Sequence, residues 1–447
     1  MSLKPNHPRA TSVPHRRMSR LGHMGSMGFG VAGNVALNGL AQLGKGQRPT
    51  LRDLMLTPGN ITRVTNRLAQ LRGAAMKIGQ LVSMDAGDFM PPELAQIMAR
   101  LREDADPMPP AQLKKVLNAQ WHANWLGSFA SFDVHPIAAA SIGQVHRAEL
   151  KDGRILAVKV QYPGVAASID SDVSNVGILI KMSGLLPKGF ELAPYLQEAR
   201  QQLHEETDYA AEAAHLDRFH SLLADTPHFV VPRVHKDWST PSVLAMDYVA
   251  GIPIEDATKY AQEDRNQLAK HLIELTLKEL FTFGVMQTDP NFANYRYQPK
   301  SKKIVLLDFS ATRDIAPKVV DQYRRLLRAG LALDRKAMMQ IAQEIGFFNE
   351  TTNTAHRDHI ARMMGLVFET LAGKSQIHFS DQTIAKQLQT DGLALIEDGF
   401  VPPPLPIDVL LLQRKFAGIF LLSARLGACL DVAAVVRSSL DKAQDTV

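Results

Sequence analysis

Three polar residues in the second half of the chain have a spacing that could hold a metal ion beside a base. Asp289 precedes Asn294 by five positions in QTDPNFANY, and Asp308 follows the apolar run VLL nineteen residues after Asp289. Chemistry on a triphosphate needs hard oxygen ligands on Mg²⁺, because the metal neutralises charge that develops on the phosphates. We predict that Asn294 and Asp308 bind the metal and that Asp289 orients the nucleophile or accepts its proton.

A lysine and an acidic helix upstream extend this set. Lys159 lies in LAVKV, on the second strand of a predicted β-hairpin whose turn is Asp152-Gly153. A protein-kinase-like site needs a lysine there for the α- and β-phosphates and a helix glutamate to hold it. Asp208 and Glu212 share one face of the following predicted helix. An exposed strand lysine, an acidic helix face and a chance DxxxxN would explain each feature alone, but the ordered set with Glu212 favours the kinase-like interpretation.

Two departures from a conventional protein kinase stand out. AAASIGQVH, residues 138–146, occupies the place of the Gly-rich phosphate loop, and alanine is stiffer than glycine there. A different nucleotide posture or slower transfer is the expected consequence. No A-P-E segment follows Asp308, because ATRDIAPKVVDQYRRLL runs almost directly into a helix. The platform that grips a peptide is therefore absent from the pattern, which favours a small-molecule kinase or an ATPase.

The elements that must position these residues predict an α+β fold. A small β-containing lobe precedes a larger, mostly helical lobe, as in a two-lobed protein-kinase-like fold. The predicted organisation is a basic Gly-rich arm (1–50), a helical extension (51–130), an N-lobe with a helical insert (131–250) and a helical C-lobe (251–447).

Composition sets the broad class of the protein. The chain has 447 residues, of which 45% are hydrophobic and 21% charged, as expected for a globular protein. Cys429 is the only cysteine, so no disulfide can form within the chain and a Cys/His metal site is disfavoured. FAGIFLLSA (416–424) lies between Lys415 and Arg425 and is interpreted as a core helix.

The N-terminal region carries most of the positive charge. Residues 1–72 contain eleven Lys or Arg and one acidic residue, so contact with anionic lipid or nucleic acid is the first expectation. Phe29 is the only aromatic residue of the 1–50 arm, which argues against stacking on single strands, and we predict no nucleic-acid partner. The Gly-rich arm is also consistent with a homodimer.

Residues 21–44 have no formal charge and exceed the ~20 residues that span a bilayer. Seven glycines and several polar residues make this run only weakly apolar, while Gly22, Ser26 and Gly30 recur every four positions, as in a helix-contact motif. Three interpretations stay open: a membrane-associated or inserted segment, a flexible or surface-packed arm, and a cleaved targeting sequence.

Six motifs in order resemble one family. Over about residues 50–430 the chain resembles the UbiB/AarF family of atypical protein-kinase-like proteins, and most closely its coenzyme-Q-biosynthesis branch. The motifs are KIGQ (77–80), AAASIGQVH (138–146), AVKV (157–160), EETDYAAEA (205–213), QTDPNFANY (287–295) and LLDFSATRD (306–314).

The resemblance implies roles for individual residues. Its KxGQ helix, with Lys77 and Gln80, belongs to an extension that folds over the active site, and its ExD motif maps to Glu206 and Asp208. Lys77 is expected to pair with Glu206, and Lys159 with Glu212. Further implied nucleotide contacts are the loop residues Ala138, Ala139, Ala140 and Ser141 and the hinge residues Met246, Tyr248 and Val249.

One position departs from the family pattern. The family's DFG is DFS here, with Ser310 in place of the glycine. Glycine at this position governs backbone freedom and binds no metal, so Asp308 is still expected to bind Mg²⁺. Ser310 would restrict the conformations of this loop and lower turnover.

The resemblance also implies a function. It implies an ATP/ADP- and Mg²⁺-binding kinase or ATPase that supports ubiquinone biosynthesis at a membrane, with anionic lipid, ubiquinone precursors and the enzymes of that pathway as partners. The expected location is the cytoplasmic face of a bacterial inner membrane, peripheral or single-span, or else a mitochondrial inner membrane. A nucleotide-gated lipid-binding scaffold (a pseudokinase) and a kinase for a lipid or small metabolite remain alternatives. A scaffold would keep its function without Asp289.

Overall fold

The computed structural model describes residues 72–86, 107–122, 124–182, 192–373 and 375–442. They form two compact units. The first unit holds the described residues up to Ala214 together with Arg233–Tyr248, and the second holds His215–Pro232 and the described residues from Val249 onward. The predicted arm, including residues 21–44, lies outside the described residues.

The first unit contains an antiparallel sheet that carries Lys159. Its strands are β1 Phe129–Phe132, β2 Ala138–Ala139, β3 Gly143–Leu150, β4 Ile155–Gln161 and β6 Val243–Asp247. The order is β1-β3-β4-β6, with β2 paired to β3. The β3–β4 pairing confirms the predicted hairpin, and Gly153 in its turn has a φ of +89°, which glycine adopts without strain.

Helices complete the first unit. They are α1 Arg72–Ala86, α2 Pro110–Gln120, α3 Val165–Met182, α4 Ala193–Glu206 and the start of α5 Tyr209–Leu222. Helix α1 packs on α3 and α4, where Ala75 and Ile78 are fully buried beside Val173 and Leu203. Burial of an apolar face of this kind is the main stabilising term for a helix in a folded protein.

The second unit is mainly helical. Its helices after α5 are α6 Gln262–Lys278, α7 Pro317–Leu331, α8 Arg335–Ile345, α9 Thr354–Gly373, α10 Thr383–Glu397, α11 Ile407–Arg425 and α12 Val432–Lys442. Helix α7 starts with proline, which fits a first helical turn, and buries Val319, Tyr323 and Leu326 at helical spacing. Helix α11 confirms the predicted core helix.

Short strands in the second unit hold the loops of interest. They are β5 Phe229–Val230, β7 Ile252–Pro253, β8 Val285–Gln287, β9 Tyr295–Gln298, β10 Lys303–Leu306, β11 Thr312–Asp314, β12 Ile377–His378 and β13 Cys429–Leu430. One sheet has the order β5-β10-β9-β7, and β8 pairs with β11. The loops that contain Asp289 and Asp308 therefore each start in one of these two sheets and end in the other. Throughout the described ranges, the helices are too short or too polar to cross a bilayer.

Candidate functional site

Lys159 and Glu212 form a buried ion pair in the first unit. The Lys159 Nζ lies 2.8 Å from Oε1 and 2.9 Å from Oε2 of Glu212, and the two residues are only 6% and 1% exposed. Glu212 occupies the first turn of α5, where the helix dipole favours a carboxylate. Because an unpaired buried charge is costly, each side chain holds the other in place. The pair can present a fixed ammonium group to an anion.

Asp208 has a structural position at the start of the same helix. Its Oδ1 accepts a hydrogen bond from the Ala211 N–H at 2.9 Å, and its carbonyl oxygen accepts one from the Glu212 N–H at 3.0 Å. This is N-capping geometry, in which a short acidic side chain satisfies an amide of the first turn. Asp208 thereby fixes the helix end that carries Glu212. The regulatory role that the resemblance implies for the ExD and KxGQ motifs stays a prediction for Glu206, Asp208, Lys77 and Gln80.

The Ala-rich loop is a tight hairpin. Ala138 lies opposite Val145, and the Ala140 N–H donates to the Gly143 carbonyl oxygen at 2.9 Å. A Cβ at Gly143 would lie 2.4 Å from the Val160 carbonyl oxygen. Glycine is therefore kept where strand β3 passes closest to β4, and alanines replace it elsewhere in the loop.

Helix α1 reaches this loop through a shared carboxylate. The Lys77 Nζ lies 2.7 Å from Oε1 of Glu206, and Oε2 of Glu206 accepts a hydrogen bond from the Ser141 hydroxyl. Lys77 is only 2% exposed, and a Cβ at Gly73 would lie 2.6 Å from the Ser141 carbonyl oxygen. The structure thus brings Lys77, Glu206 and Ser141 together. Nothing is described for the side chain of Gln80.

A second polar chain beside the loop was not predicted from the sequence. Oε1 of Gln144 accepts a hydrogen bond from the Met108 N–H at 2.7 Å, and its Nε2 lies 2.8 Å from Nε2 of His146. The His146 Nδ1 lies 2.8 Å from the Asp133 carbonyl oxygen. Burial is the largest influence on His146 and lowers its pKa, so the ring favours the neutral state. Gln144 and His146 belong to the AAASIGQVH motif, but the motif does not indicate that their side chains are buried.

The predicted hinge has one donor already engaged. Met246 lies in strand β6 and pairs with Ala157 of β4. The Tyr248 N–H donates to the Ile155 carbonyl oxygen at 2.9 Å. A contact from Tyr248 to a ligand would therefore use its carbonyl oxygen or its exposed ring. The chain passes into the second unit at Val249.

Three hydrogen bonds fasten the Asp289 loop to the Asp308 loop in the second unit. The Thr288 N–H and hydroxyl both donate to the Ala311 carbonyl oxygen, at 2.9 and 2.8 Å. The Leu307 N–H donates to the Asn294 carbonyl oxygen at 3.0 Å. Because Thr288 precedes Asp289 and Leu307 precedes Asp308, the two loops are joined at both ends.

The donor set fits Mg²⁺. The Asn294 Nδ2 is buried and has no hydrogen-bond partner among the described residues. Because this nitrogen is a donor, a cation would be bound by the Oδ1 of Asn294, which is a hard oxygen ligand. Oδ1 of Asp308 accepts from the Ser310 N–H at 3.0 Å and the Ser310 hydroxyl at 2.6 Å. Nowhere in the described ranges do three Asp, Glu, His or Cys side chains converge. A Mg²⁺ ion here would therefore complete its shell with water and phosphate oxygens, as is usual for this cation.

A buried polar cluster around Lys415, next to the Asp289 loop, was also not predicted from the sequence. The Lys415 Nζ donates to Tyr295 Oη at 3.0 Å and to Gln287 Oε1 at 3.3 Å, and lies 3.8 Å from Oε2 of Glu279. Burial raises the pKa of Glu279 to about 7, although Lys415 opposes the change. Burial acts to lower the pKa of Lys415, but attraction to Glu279, Tyr295 and Asp289 outweighs it and the pKa is raised. Lys415 therefore carries its charge at neutral pH.

Comparison with known proteins gives consistent matches. A profile of the ABC1 atypical kinase-like domain matches residues 100–342. The mitochondrial atypical kinase COQ8 of Saccharomyces cerevisiae is 41% identical over 424 residues, which cover 94% of this chain and 84% of the relative. The mitochondrial atypical kinase COQ8B of Rattus norvegicus is 39% identical, with 94% and 80% covered. The structure of Rv3197 from Mycobacterium tuberculosis, solved with erythromycin, has a TM-score of 0.58 at 25% identity and covers 84% of this chain and 94% of its own.

Proposed function

Because the chain belongs to the ABC1 atypical kinase-like family and has its kinase-like fold, we propose that it is a Mg²⁺-dependent phosphotransferase or ATPase. The observation that carries the proposal is the joining of the Asp289 and Asp308 loops through Asn294 and Leu307. That bond keeps a candidate base and two oxygen-bearing ligands in one framework. In the first unit, the buried Lys159–Glu212 pair is a fixed cation of the type that binds phosphates.

Each side chain has a defined task in this mechanism. The Lys159 ammonium neutralises the α- and β-phosphates, and Glu212 prevents it from turning away. Asn294 and Asp308 would hold the metal through their side-chain oxygen atoms. Mg²⁺, when bound, supplies charge neutralisation at the phosphoryl group that is transferred. Asp289 orients water or an acceptor hydroxyl and takes its proton, so positioning and electrostatics carry the reaction.

The acceptor is proposed to be small, or water. Helix α7 begins at Pro317, only three residues after strand β11 ends at Asp314. This short connection supports the absence of a peptide-gripping segment. In the first unit, α1 packs directly on the Ala-rich loop through Gly73 and the Lys77–Glu206 pair. Both features argue against protein kinase activity in trans.

The pathway and location rest on the family. We propose that the protein supports ubiquinone biosynthesis at a membrane, with anionic lipid, ubiquinone precursors and the enzymes that modify them as partners. The two relatives described above are named as mitochondrial, which supports the mitochondrial alternative over the bacterial one. Residues 21–44, the candidate membrane segment, remain a prediction.

One observation favours a second candidate, a nucleotide-gated lipid-binding scaffold. Ser310 engages the Asp308 carboxylate through both its amide and its hydroxyl. Those bonds compete with a metal for the same oxygen and would slow turnover without abolishing nucleotide binding. A kinase for a lipid or small metabolite would use the same residues as the leading proposal and differ only in its acceptor.

Phosphate release from ATP tests the proposal. It is measured with Mg²⁺, with and without liposomes that contain anionic lipid, for wild type, Asp308→Asn and Asp289→Asn. Release that the liposomes stimulate and that both substitutions abolish supports the ATPase. Equal background release in all three proteins, together with nucleotide-dependent stabilisation of wild type, would instead identify the scaffold.

A further inference from the structure

We propose that Lys415 is a positioning residue that holds the Asp289 loop from behind, an inference that rests on the proposed function. Lys415 lies in α11 and is only 1% exposed. A lysine is rarely buried to this extent unless it is paired, because its charge loses the solvation of water. The phosphate and metal chemistry does not use this side chain. Its contacts therefore need an explanation of their own.

The contacts of Lys415 connect the two ends of one loop. Gln287 ends strand β8 and Tyr295 begins strand β9, and the Lys415 ammonium donates to both side chains. Asp289 and Asn294 lie on the segment between them. One buried cation thus fixes the separation of the two residues that bracket the base and a metal ligand. Glu279, in the turn that follows α6, supports the same ammonium from a third direction.

Helix α11 makes a second contact with this loop one turn further on. A Cβ at Gly418 would lie 2.2 Å from the Cβ of Pro290, the residue after Asp289. Gly418 is three positions from Lys415, so both face the loop from the same side of the helix. The backbone of α11 at Gly418 thus packs directly against Pro290, and the Lys415 ammonium bonds to the two ends of the loop. This arrangement limits movement of Asp289 in two directions.

The charge on Lys415 also bears on Asp289. The Asp289 carboxylate is one of the anionic groups whose attraction raises the pKa of Lys415. A neutral side chain of similar length would fill the space without supplying this field. Lys415 therefore contributes geometry through its hydrogen bonds and electrostatics through its charge.

The test compares Lys415→Met with a matched variant, Ser423→Ala. Ser423 is also buried on α11, but among the described residues its hydroxyl bonds only to the Ile419 carbonyl oxygen of the same helix. We expect Lys415→Met to lower turnover at saturating Mg²⁺-ATP by about tenfold or more, the cost of a modest misplacement of reacting groups. The nucleotide dissociation constant should stay within about twofold of wild type, because a loss made only in the transition state leaves binding intact. Ser423→Ala should change neither quantity.

Hydrogen exchange gives a readout that does not depend on activity. Amides between 288 and 296 should exchange about tenfold faster in Lys415→Met than in wild type or Ser423→Ala, because the local opening free energy falls. Tyr295→Phe removes one acceptor and retains the buried cation, and it should accelerate exchange in the same segment to a smaller extent. Should Lys415→Met fail to fold, Tyr295→Phe decides the question alone.

The outcomes separate this inference from the proposed function. Unchanged exchange over 288–296 in folded Lys415→Met, or in Tyr295→Phe when the first variant is not folded, overturns the positioning role. An equal loss of turnover and nucleotide affinity overturns it too. If wild type shows no Mg²⁺-dependent turnover at all, the proposed function fails, and the exchange comparison still tests the hold of Lys415 on the loop.

Discussion

The Asn294 carbonyl oxygen accepts a hydrogen bond from the Leu307 N–H at 3.0 Å, and Leu307 directly precedes Asp308. This backbone hydrogen bond is made by one proposed metal ligand, Asn294, and by the residue next to the other, Asp308. It therefore holds the backbone of the two ligands together. Ligands held this way lose little conformational freedom when a cation binds. Asp289, Asn294 and Asp308 are thus held in one preorganised framework, although nineteen positions separate the first from the last in the sequence.

The Ser310 hydroxyl is predicted to weaken metal binding at Asp308. Ser310→Ala removes its 2.6 Å bond to Oδ1 but keeps the backbone restricted, whereas Ser310→Gly also frees the backbone. In both variants, half-maximal ATP turnover should need an about three- to tenfold lower Mg²⁺ concentration than in wild type. The factor corresponds to ~1 kcal/mol, the cost of the hydrogen bond that the metal must displace in wild type. The measurement is a Mg²⁺ titration of ATP turnover. An unchanged or higher Mg²⁺ requirement in Ser310→Ala would show that the hydroxyl does not compete.

Lys77 is predicted to restrain the Ala-rich loop. Lys77→Met removes the cation from the buried pair with Glu206, which should cost about 3 kcal/mol of unfolding free energy. Because the same carboxylate holds Ser141, the loop should loosen and phosphoryl transfer should rise several-fold. Urea unfolding and phosphate release measure the two effects. Lys114→Met, at an exposed position on α2, is the control. A Lys77→Met protein with wild-type stability and wild-type turnover would contradict the restraint.

Glu279 is predicted to make stability fall as the pH rises. Its pKa is about 7 in the fold against 4.5 in an unburied carboxyl group, so between these values the unfolded chain releases a proton that the folded chain keeps. The unfolding free energy should therefore decrease through this window, by about 3 kcal/mol in total. Glu279→Gln removes the titrating group and should gain stability relative to wild type as the pH rises from 5 to 8.

Urea unfolding at several pH values measures this difference. Glu344→Gln is the matched control, because Glu344 is exposed to solvent and Arg325 lowers its pKa. Its difference from wild type should stay nearly constant between pH 5 and 8, since that carboxyl group is ionised throughout. A constant difference for Glu279→Gln as well would contradict the assigned pKa.

Asp208 is predicted to act through its helix cap. Asp208→Ala should lower the unfolding free energy by about 1 kcal/mol, whereas Asp208→Asn should stay close to wild type, because Asn caps as well as Asp. Turnover should follow the same order, since the capped helix carries Glu212. Denaturant unfolding and phosphate release give both numbers. If Asp208→Asn loses as much activity as Asp208→Ala, the carboxylate charge has a role beyond the cap.

Local patterns predicted the elements whose cause is local. The hairpin that carries Lys159 follows from alternating apolar residues and an Asp-Gly turn, and the structure has it. The apolar run after Lys415 predicted a core helix in the same way. In each case the signal lies within about twenty residues, where periodicity and turn chemistry decide the structure.

The sequence could not reveal contacts between distant polar residues. Lys415 appeared to be the charged end of an apolar helix, yet it is buried and bonds to Tyr295, 120 positions away. Gln144 likewise bonds to the Met108 amide, which no spacing rule connects to it. Burial of a polar group depends on partners that only the fold brings together. The resemblance predicted the pairing of Lys77 with Glu206. The hydrogen bond from the Ser141 hydroxyl to the same Glu206 carboxylate became visible only in the structure.

The most direct test of the central claim is the affinity for ATP measured by calorimetry with and without Mg²⁺. Lys159→Met should weaken binding about tenfold or more under both conditions, since phosphate contacts need no metal. Asp308→Asn should weaken it only when Mg²⁺ is present, and Lys151→Met, at the exposed hairpin turn, should leave it unchanged. Wild-type affinity in both Lys159→Met and Asp308→Asn would contradict the claim that this chain binds magnesium-bound ATP through these residues.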